Sequence, residues 1–183
     1  MIRRLGRHVI LVGLPGSGKT TVGRLVAAAL GTAFHDVDPI IEAEAGLTVH
    51  QIFADKGEDV FRSVEARTVT RLLAGPAAII APGGGWAAQP GNLDAAVTAG
   101  AFVIYLHSSP EDAARRTEGD SVRPLLVGGN RLALLRELLE ARESYYRQSE
   151  ATVLTDGRSV AEVAREVAEL ARAGAGPDSQ SVR

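Results

Sequence analysis

A glycine-rich segment near the start of the chain, Gly13-Leu14-Pro15-Gly16-Ser17-Gly18-Lys19-Thr20, constrains the fold more than any other stretch. It follows the apolar run 8–12 and precedes a helical pattern, and its spacing is that of a phosphate-binding P-loop. Glycines let the backbone turn its N–H groups around phosphate oxygens, and the N-terminus of the following helix faces the same anion. The segment therefore predicts a nucleoside triphosphate site, contributed by Gly13, Gly16, Ser17, Gly18, Lys19, Thr20 and Thr21.

Two residues of this segment carry charge or bind metal in that prediction. Lys19 adds a positive charge at the β- and γ-phosphates, and the Thr20 hydroxyl is a ligand for Mg²⁺. A plain glycine-rich turn between a strand and a helix is the alternative interpretation. The dinucleotide pattern G-x-G-x-x-G does not fit, because Thr21 stands where its third glycine should be.

Composition excludes several classes of protein. With 183 residues we expect one domain over residues 1–172, and a net charge of −2 does not indicate a nucleic-acid or anionic-membrane partner. The absence of cysteine excludes disulfides, thiolate metal sites and a cysteine nucleophile. The apolar run after the basic start is too short for a signal peptide or a membrane span. We expect a cytoplasmic monomer.

The hydrophobic pattern alternates between strands and helices along the chain. Such alternation predicts an α/β fold with three layers, in which helices cover both faces of a five-stranded parallel sheet. Residues from about 115 to 130 have glycines and no periodicity, which is typical of a mobile lid, and residues 173–183 read as a disordered tail. Strands are predicted at 8–12, 32–36, 77–81, 101–106 and 151–155, and helices at 19–30, 39–45, 48–57, 58–74, 92–99, from 110, 131–147 and from 159.

Polar residues and glycines follow several of these strands. Ligands of such sheets bind beyond the carboxyl ends of the strands, so we expect these residues to converge on one cleft. In an extended segment Asp36 and Asp38 point the same way, which suits one carboxylate holding Mg²⁺ through water and the other reaching a substrate hydroxyl. An acidic helix N-terminus before Pro39 is the alternative. Three consecutive glycines, 83–85, predict close approach of backbone to a ligand.

The remaining candidates each have a simple alternative. Arg62 and Glu65 are three residues apart on a helix, which is also the spacing of a solvated ion pair. Arg123 would supply a second cation to the transferred phosphate if its loop closes, or would be an exposed loop charge. Arg142 taken alone reads as a solvated helix residue. Trp86 reads as a packing residue, with ligand contact left open.

Taken in order, these motifs resemble the shikimate kinase family, in the nucleoside-monophosphate-kinase-like branch of P-loop proteins. The resemblance runs from about Val9 to Leu170 and rests on the order and spacing of the motifs together. Its parts are GLPGSGKTTVGRLVA at 13–27, DVD at 36–38, GEDVFRSVE at 57–65, GGG at 83–85, RRT and VRPLL within 115–126, and the arginine at 142.

The resemblance implies transfer of the ATP γ-phosphate to the 3-hydroxyl of shikimate, a step of aromatic amino-acid biosynthesis. On the acceptor side it implies that Arg62 and Arg142 bind the shikimate carboxylate. Asp38 would bind ring hydroxyls and orient or deprotonate the attacking oxygen, while Gly84 and Gly85 approach the substrate through their backbone.

On the nucleotide side the resemblance implies Mg²⁺ bound directly by Thr20 and through water by Asp36. Arg123 would be the lid arginine on the phosphates, and Arg116 and Arg158 would lie against adenine. Lys19, Asp38 and Arg123 would be the catalytic residues.

The chain departs from the family pattern at two points. Trp86 follows the triple glycine, where the family has a small residue, and Ser144-Tyr145-Tyr146 stands where it reads Pro-Leu-Tyr. Two other functions therefore stay open: a related kinase for another hydroxy acid such as gluconate, or a nucleotide-binding regulatory module without catalysis.

We predict that Asp38→Asn reduces turnover by at least about 100-fold, the usual minimum effect of a general base. ATP affinity should change little, because Asp38 is assigned to the acceptor and not to the nucleotide. Steady-state kinetics and an ATP titration of the variant measure both quantities. A rate near that of the wild type would contradict the assignment.

Overall fold

The computed structural model of the chain describes residues 5–118 and 130–174. Its centre is a five-stranded sheet with the strand order β2-β3-β1-β4-β5, and every pairing in it is parallel. The strands are β1 (Val9–Val12), β2 (Ala33–Asp36), β3 (Ala78–Ala81), β4 (Phe102–His107) and β5 (Ala151–Leu154). The predicted α/β fold with a five-stranded parallel sheet is confirmed.

Eight α-helices and one short 3₁₀ helix of the described residues connect and cover these strands. The 3₁₀ helix spans Trp86–Ala88, immediately after the triple glycine. The α-helices are α1 (Lys19–Leu30), α2 (Val37–Ala45), α3 (Val49–Lys56), α4 (Glu58–Leu73), α5 (Asn92–Thr98), α6 (Pro110–Arg116), α7 (Arg131–Tyr146) and α8 (Val160–Gly174).

The sheet separates two hydrophobic cores, because successive side chains of a strand point to opposite faces. In β1, Ile10 and Val12 join the core beneath α2–α5 and the end of α7, while Val9 and Leu11 join the core beneath α1 and α8. All four residues of β1 are buried. Burial on both faces explains why this strand reads as a continuous apolar run.

The start of α2 differs from the prediction. Helix α2 begins at Val37, so Asp38 lies in its first turn and not in an extended segment. Pro39 is tolerated there because the first-turn N–H groups of a helix need no partner within the helix. Helix α5 begins at Asn92 as predicted. Gly91 occupies its cap position with φ 81°, and the Asn92 side-chain amide donates to the Trp86 carbonyl at 2.9 Å. Thr48 and Ser159 form capping boxes at the starts of α3 and α8.

The predicted lid and tail fall largely outside the described residues. Helix α6 includes Arg115 and Arg116, and the description stops after Glu118 and resumes at Asn130, which caps α7 by accepting from the Ala133 N–H at 3.1 Å. Arg123, the predicted lid arginine, therefore lies outside the described residues. Helix α8 extends to Gly174, and residues 175–183 lie outside. Among the described helices, none has the length and apolar character needed to cross a bilayer.

A buried histidine connects β1 to the turn before β3. The Ala78 N–H donates to Nδ1 of His8 at 3.2 Å, so this nitrogen must be the acceptor. The neutral ring then carries its proton on Nε2, which lies 3.2 Å from the Gly75 carbonyl and donates to it. His8 thus satisfies two backbone groups of the α4–β3 connection, a role that its sequence context gives no sign of.

We expect His8→Leu to lower the free energy of unfolding by about 1–3 kcal/mol, because it leaves a buried donor and a buried acceptor without partners. His50→Leu is the matched control, since His50 is exposed on α3 and leucine is a good helix former. Urea denaturation of both variants measures the difference. Equal losses in the two would show that the His8 hydrogen bonds contribute nothing specific.

Candidate active site

The predicted P-loop connects β1 to α1 and has the backbone conformation that its glycines permit. Gly13 and Gly16 have φ values of 144° and 87°, which side-chain-bearing residues rarely adopt. Space is equally restrictive: a Cβ on Gly13 would lie 2.5 Å from the Leu106 carbonyl oxygen, and one on Gly16 would lie 2.7 Å from that of Ala113. Helix α1 starts at Lys19, so its N-terminal amides face the loop.

Lys19 lies inside this loop. Its side-chain ammonium donates to the carbonyls of Gly13 and Leu14 at 2.9 and 3.0 Å, and the residue is buried. A buried ammonium enclosed by backbone dipoles provides a fixed positive charge where the loop surrounds an anion.

Thr20 and Asp36 meet where α1 begins and β2 ends. The Thr20 hydroxyl donates to Asp36 Oδ2 at 2.7 Å, which directs the oxygen lone pairs of Thr20 away from the carboxylate. In the described part of the chain, no group of three or more His, Cys, Asp or Glu residues is placed to hold a metal ion. A hydroxyl with one nearby carboxylate suits Mg²⁺, which keeps several waters and takes its other ligands from substrate phosphates.

Asp38 lies in the same cleft as Asp36 although it is part of a helix. Both carboxylates line one pocket, the first pocket, so the convergence predicted for them is found. Asp38 reaches the pocket from a helix and not from an extended segment. Asp38 projects from the first turn of α2, where the helix dipole favours a negative charge. A Cβ on Gly83 would lie 3.4 Å from Asp38 Oδ1. This carboxylate therefore lies directly beside the triple glycine 83–85, the glycine loop.

Arg62 and Glu65 form a buried ion pair, and the alternative of a solvated pair is wrong. Arg62 Nη1 lies 2.7 Å from Glu65 Oε2, and the two residues are only 7% and 0% exposed. The guanidinium also donates from Nε and Nη2 to Glu58 Oε1 at 3.1 and 2.9 Å. Its Cζ lies 5.7 Å from the ring centre of Phe53 and 5.2 Å from that of Phe61. Arg62 is therefore held on several sides before any anion arrives.

Burial and the neighbouring charges shift the pKa values of both members of this pair. Burial raises the pKa of Glu65, and the Asp38 charge adds to the rise, while Arg62 and the Gly83 N–H oppose it. Burial alone would lower the pKa of Arg62, but Glu65 and Glu58 more than offset this and the pKa stays above its ordinary value. The guanidinium is thus a permanent positive charge in the cleft.

The triple glycine packs against this ion pair. The Gly83 N–H donates to Glu65 Oε1 at 2.8 Å, and a Cβ on Gly85 would lie 2.5 Å from Arg62 Nη2. A side chain at either position would displace the guanidinium or its carboxylate partner. The close approach predicted for these glycines is therefore to the side chains that form the site. Trp86 is 2% exposed and belongs to the core, as the packing interpretation predicts.

Sequence reasoning named Glu65 only as a possible partner of Arg62 and missed Glu58 altogether. Glu65 joins two parts of the cleft, since one oxygen bonds Arg62 and the other accepts from the glycine loop. The spacing of these acidic residues from Arg62 was the only signal, and it is the same for an exposed pair.

The cleft is completed by Arg142, which lies half-buried on α7. The predicted substrate residues Asp38, Arg62, Gly84, Gly85 and Arg142 all line one pocket, together with Lys19, Thr20 and Asp36. Residues from four helices, one strand and the loop of the triple glycine are therefore brought together although they are far apart in sequence.

A second pocket lies on the other side of the P-loop. It has a volume of about 310 Å³ and is lined by Gly16, Ser17, Gly18 and Thr21, by Arg116 and Arg158, and by both Lys19 and Thr20. Because Lys19 and Thr20 line both pockets, the lysine and the hydroxyl stand at the junction between them. This geometry suits a triphosphate whose terminal phosphate reaches the first pocket.

Two arginines border the second pocket and are oriented by neighbours. Arg116 donates to the Thr155 hydroxyl at 2.9 Å and to the Thr155 carbonyl at 2.7 Å, and pairs with Asp112 at 3.1 Å. Arg158 pairs with Glu166 at 2.7 Å. The third predicted nucleotide arginine, Arg123, lies outside the described residues.

Comparison with known proteins identifies a consistent set of relatives. A family model described as shikimate kinase matches residues 15–172. The shikimate kinase of Symbiobacterium thermophilum is 45% identical over 165 residues, which cover 88% of this chain and 94% of that protein. The structure of shikimate kinase from Acinetobacter baumannii in complex with shikimate superimposes with a TM-score of 0.85 at 36% identity, over 90% of this chain and 92% of that one.

A more distant structural neighbour is a gluconokinase from Sinorhizobium meliloti. It superimposes with a TM-score of 0.61 over 94% of this chain and 93% of its own, at 22% identity. At that identity the likeness concerns the fold alone.

Glu65→Ala should lower the free energy of unfolding by about 3 kcal/mol, the usual effect of removing one partner of a buried ion pair. Glu58→Ala is the control within the same cluster: its side chain is 46% exposed, so we expect a loss below about 1 kcal/mol. Guanidinium denaturation at pH 7 measures both. Similar losses for the two variants would mean that burial does not distinguish the two carboxylates.

Proposed function

The chain belongs to the shikimate kinase family, and on that premise we propose that it transfers the γ-phosphoryl group of ATP to the 3-hydroxyl of shikimate. One observation carries the proposal. A buried arginine, held by two glutamates, faces Asp38 in a cleft that shares Lys19 and Thr20 with a second, nucleotide-sized pocket. Such a cleft suits a small acceptor that carries both a carboxylate and hydroxyls.

On the acceptor side, Arg62 and Arg142 bind the shikimate carboxylate in this proposal. Guanidinium groups match a carboxylate with two parallel hydrogen bonds, and Arg62 needs no reorganisation because its neighbours already hold it. The backbone of Gly84 and Gly85 forms the adjacent wall of the pocket. Asp38 then orients the 3-hydroxyl towards the γ-phosphate and takes up its proton. As the new P–O bond forms, the bond from the γ-phosphorus to the β–γ bridging oxygen breaks and ADP leaves.

On the nucleotide side, the P-loop amides and Lys19 bind the β- and γ-phosphates. Arg116 and Arg158, which border the second pocket, lie against the adenine ring. The proposal also assigns Arg123 to the transferred phosphate, on the strength of the sequence motif alone. Positive charge from these groups neutralises the charge that spreads over the equatorial phosphate oxygens during transfer.

A magnesium ion would be held by the Thr20 hydroxyl and, through water, by Asp36. When bound, Mg²⁺ neutralises the phosphates and aligns them for in-line displacement. The hydrogen bond from Thr20 to Asp36 supports this assignment, because it fixes the hydroxyl oxygen at the junction of the two pockets.

We propose that ATP and shikimate are the partners of the chain and that it acts in the cytoplasm as a monomer. A net charge of −2 and the absence of cysteine are compatible with this. Neither nucleic acid nor membrane has a part in the proposed reaction.

A coupled ADP-release assay tests the function, with ATP and Mg²⁺ and with shikimate, gluconate or no acceptor in parallel. We expect turnover of roughly 1–100 s⁻¹, the usual range of kinases, with shikimate alone. Lys19→Met is the control, and its loss of all release ties the activity to this site.

Release with gluconate would mean that the acceptor pocket selects another hydroxy acid. Tight ATP binding without release for either acceptor would favour a regulatory nucleotide-binding module. Either result would contradict the proposed acceptor.

A further inference from the structure

A column of buried aromatic side chains lies behind the glycine loop. Tyr146, the last residue of α7, and Tyr105 of β4 are 0% and 1% exposed, and their rings stack with centres 5.1 Å apart. Trp86 belongs to the same core cluster and follows the loop directly. The wall of the acceptor pocket therefore rests on a rigid support.

Only one hydroxyl of this stacked pair is bonded to the loop. The Tyr146 hydroxyl donates to the Gly84 carbonyl. Among the described residues, the buried Tyr105 hydroxyl has no hydrogen-bond partner. The Tyr146 hydroxyl also has a hydrogen bond with the Arg142 side chain. The two stacked tyrosines thus differ in the hydrogen bonds of their hydroxyls, which join Tyr146 to both Gly84 and Arg142.

The Tyr146 hydroxyl keeps its proton over the whole physiological range. Burial raises the pKa of Tyr146 to about 12, and the nearby Arg142 opposes only part of the rise. The group therefore stays a hydrogen-bond donor to the loop.

The glycine loop is bonded to both helices that carry an acceptor arginine. On one side, the Gly83 N–H donates to Glu65 on α4, the helix of Arg62. On the other side, Gly84 accepts from Tyr146 on α7, the helix of Arg142. Tyr146 follows Arg142 by four residues, so the two side chains lie on the same face of α7, one turn apart.

We propose that Tyr146 is a positioning residue for the acceptor, and that its hydroxyl, through Gly84, fixes the distance between the glycine loop and the helix that carries Arg142. The inference rests on the proposed function, since it concerns how the shikimate pocket is held. It assigns a role to a residue that does not itself line the pocket.

The pair Tyr146→Phe and Tyr105→Phe tests this role, because each change removes one hydroxyl and keeps the stacked ring. For Tyr146→Phe we expect a roughly ten-fold rise in the KM for shikimate, because the Gly84 carbonyl and the Arg142 side chain each lose a hydrogen-bond partner. Turnover at saturation and the KM for ATP should stay within about two-fold of the wild type, because Tyr146 does not line the nucleotide pocket and distant sites couple weakly. Tyr105→Phe should leave all three unchanged.

A second measurement follows the loop directly. Trp86 is the only tryptophan of the chain and lies immediately beyond the glycines, so its fluorescence reports on the loop. A shikimate titration should shift half-saturation to higher concentration in Tyr146→Phe by the same factor as the KM, without the need for turnover. Thermal melting of both variants separates this effect from a loss of stability.

Three results would overturn the inference while shikimate remains a substrate of the wild type. They are an unchanged shikimate KM in Tyr146→Phe, an equal rise in the KM for shikimate and ATP, and an equal effect of the two tyrosine variants. Failure of the wild-type protein to use shikimate would instead overturn the proposed function, and the inference with it.

Discussion

Parallel pairing of β1 with β3 on one side and β4 on the other determines where every part of the site lies. Val9 and Ile10 pair with Ile79 and Ile80, and all of β1 pairs with β4. The loops that leave these strands must therefore emerge side by side at the carboxyl edge of the sheet. The P-loop is thus enclosed between the glycine loop and the end of β4, and donor and acceptor sites become neighbours without any contact specified locally in the sequence.

The buried pair of Arg62 and Glu65 places a permanent positive charge in the cleft at this edge of the sheet, and so provides a binding site for an anion. Burying two charges is costly, and their attraction offsets the cost only when hydrogen bonds satisfy the remaining atoms. Here Glu58 and the Gly83 N–H supply those bonds. The arrangement gives little net stability but keeps a guanidinium in place, and an enzyme that mainly aligns and neutralises its reactants benefits from such preorganisation.

The sequence was sufficient for the fold and for the position of the P-loop between β1 and α1, because these depend on local patterns. The P-loop spacing and the alternation of apolar strands with helices each act over a few residues. The acceptor half depends on long-range placement: the i,i+3 spacing of Arg62 and Glu65 does not reveal that Glu65 is fully buried. The sequence pattern predicts an extended backbone at Asp38 because Pro39 is a typical first helical residue, but α2 begins two residues earlier, at Val37. The hydrogen bond from Tyr146 to Gly84 joins residues that are 62 positions apart in the sequence, and no local motif predicts it.

The close contacts around Gly84 limit which residues of the acceptor pocket can be replaced. A Cβ there would lie 2.9 Å from Pro15 Cδ and 3.1 Å from the Gly13 carbonyl oxygen, so the partition between the pocket and the P-loop is a single peptide thick. A side chain there would therefore push the two loops apart. Val49 and Phe53 of α3 line the same pocket and already carry side chains. A library designed for new acceptors can therefore vary the size of the side chains on α3, whereas at Gly84 any side chain meets the P-loop backbone.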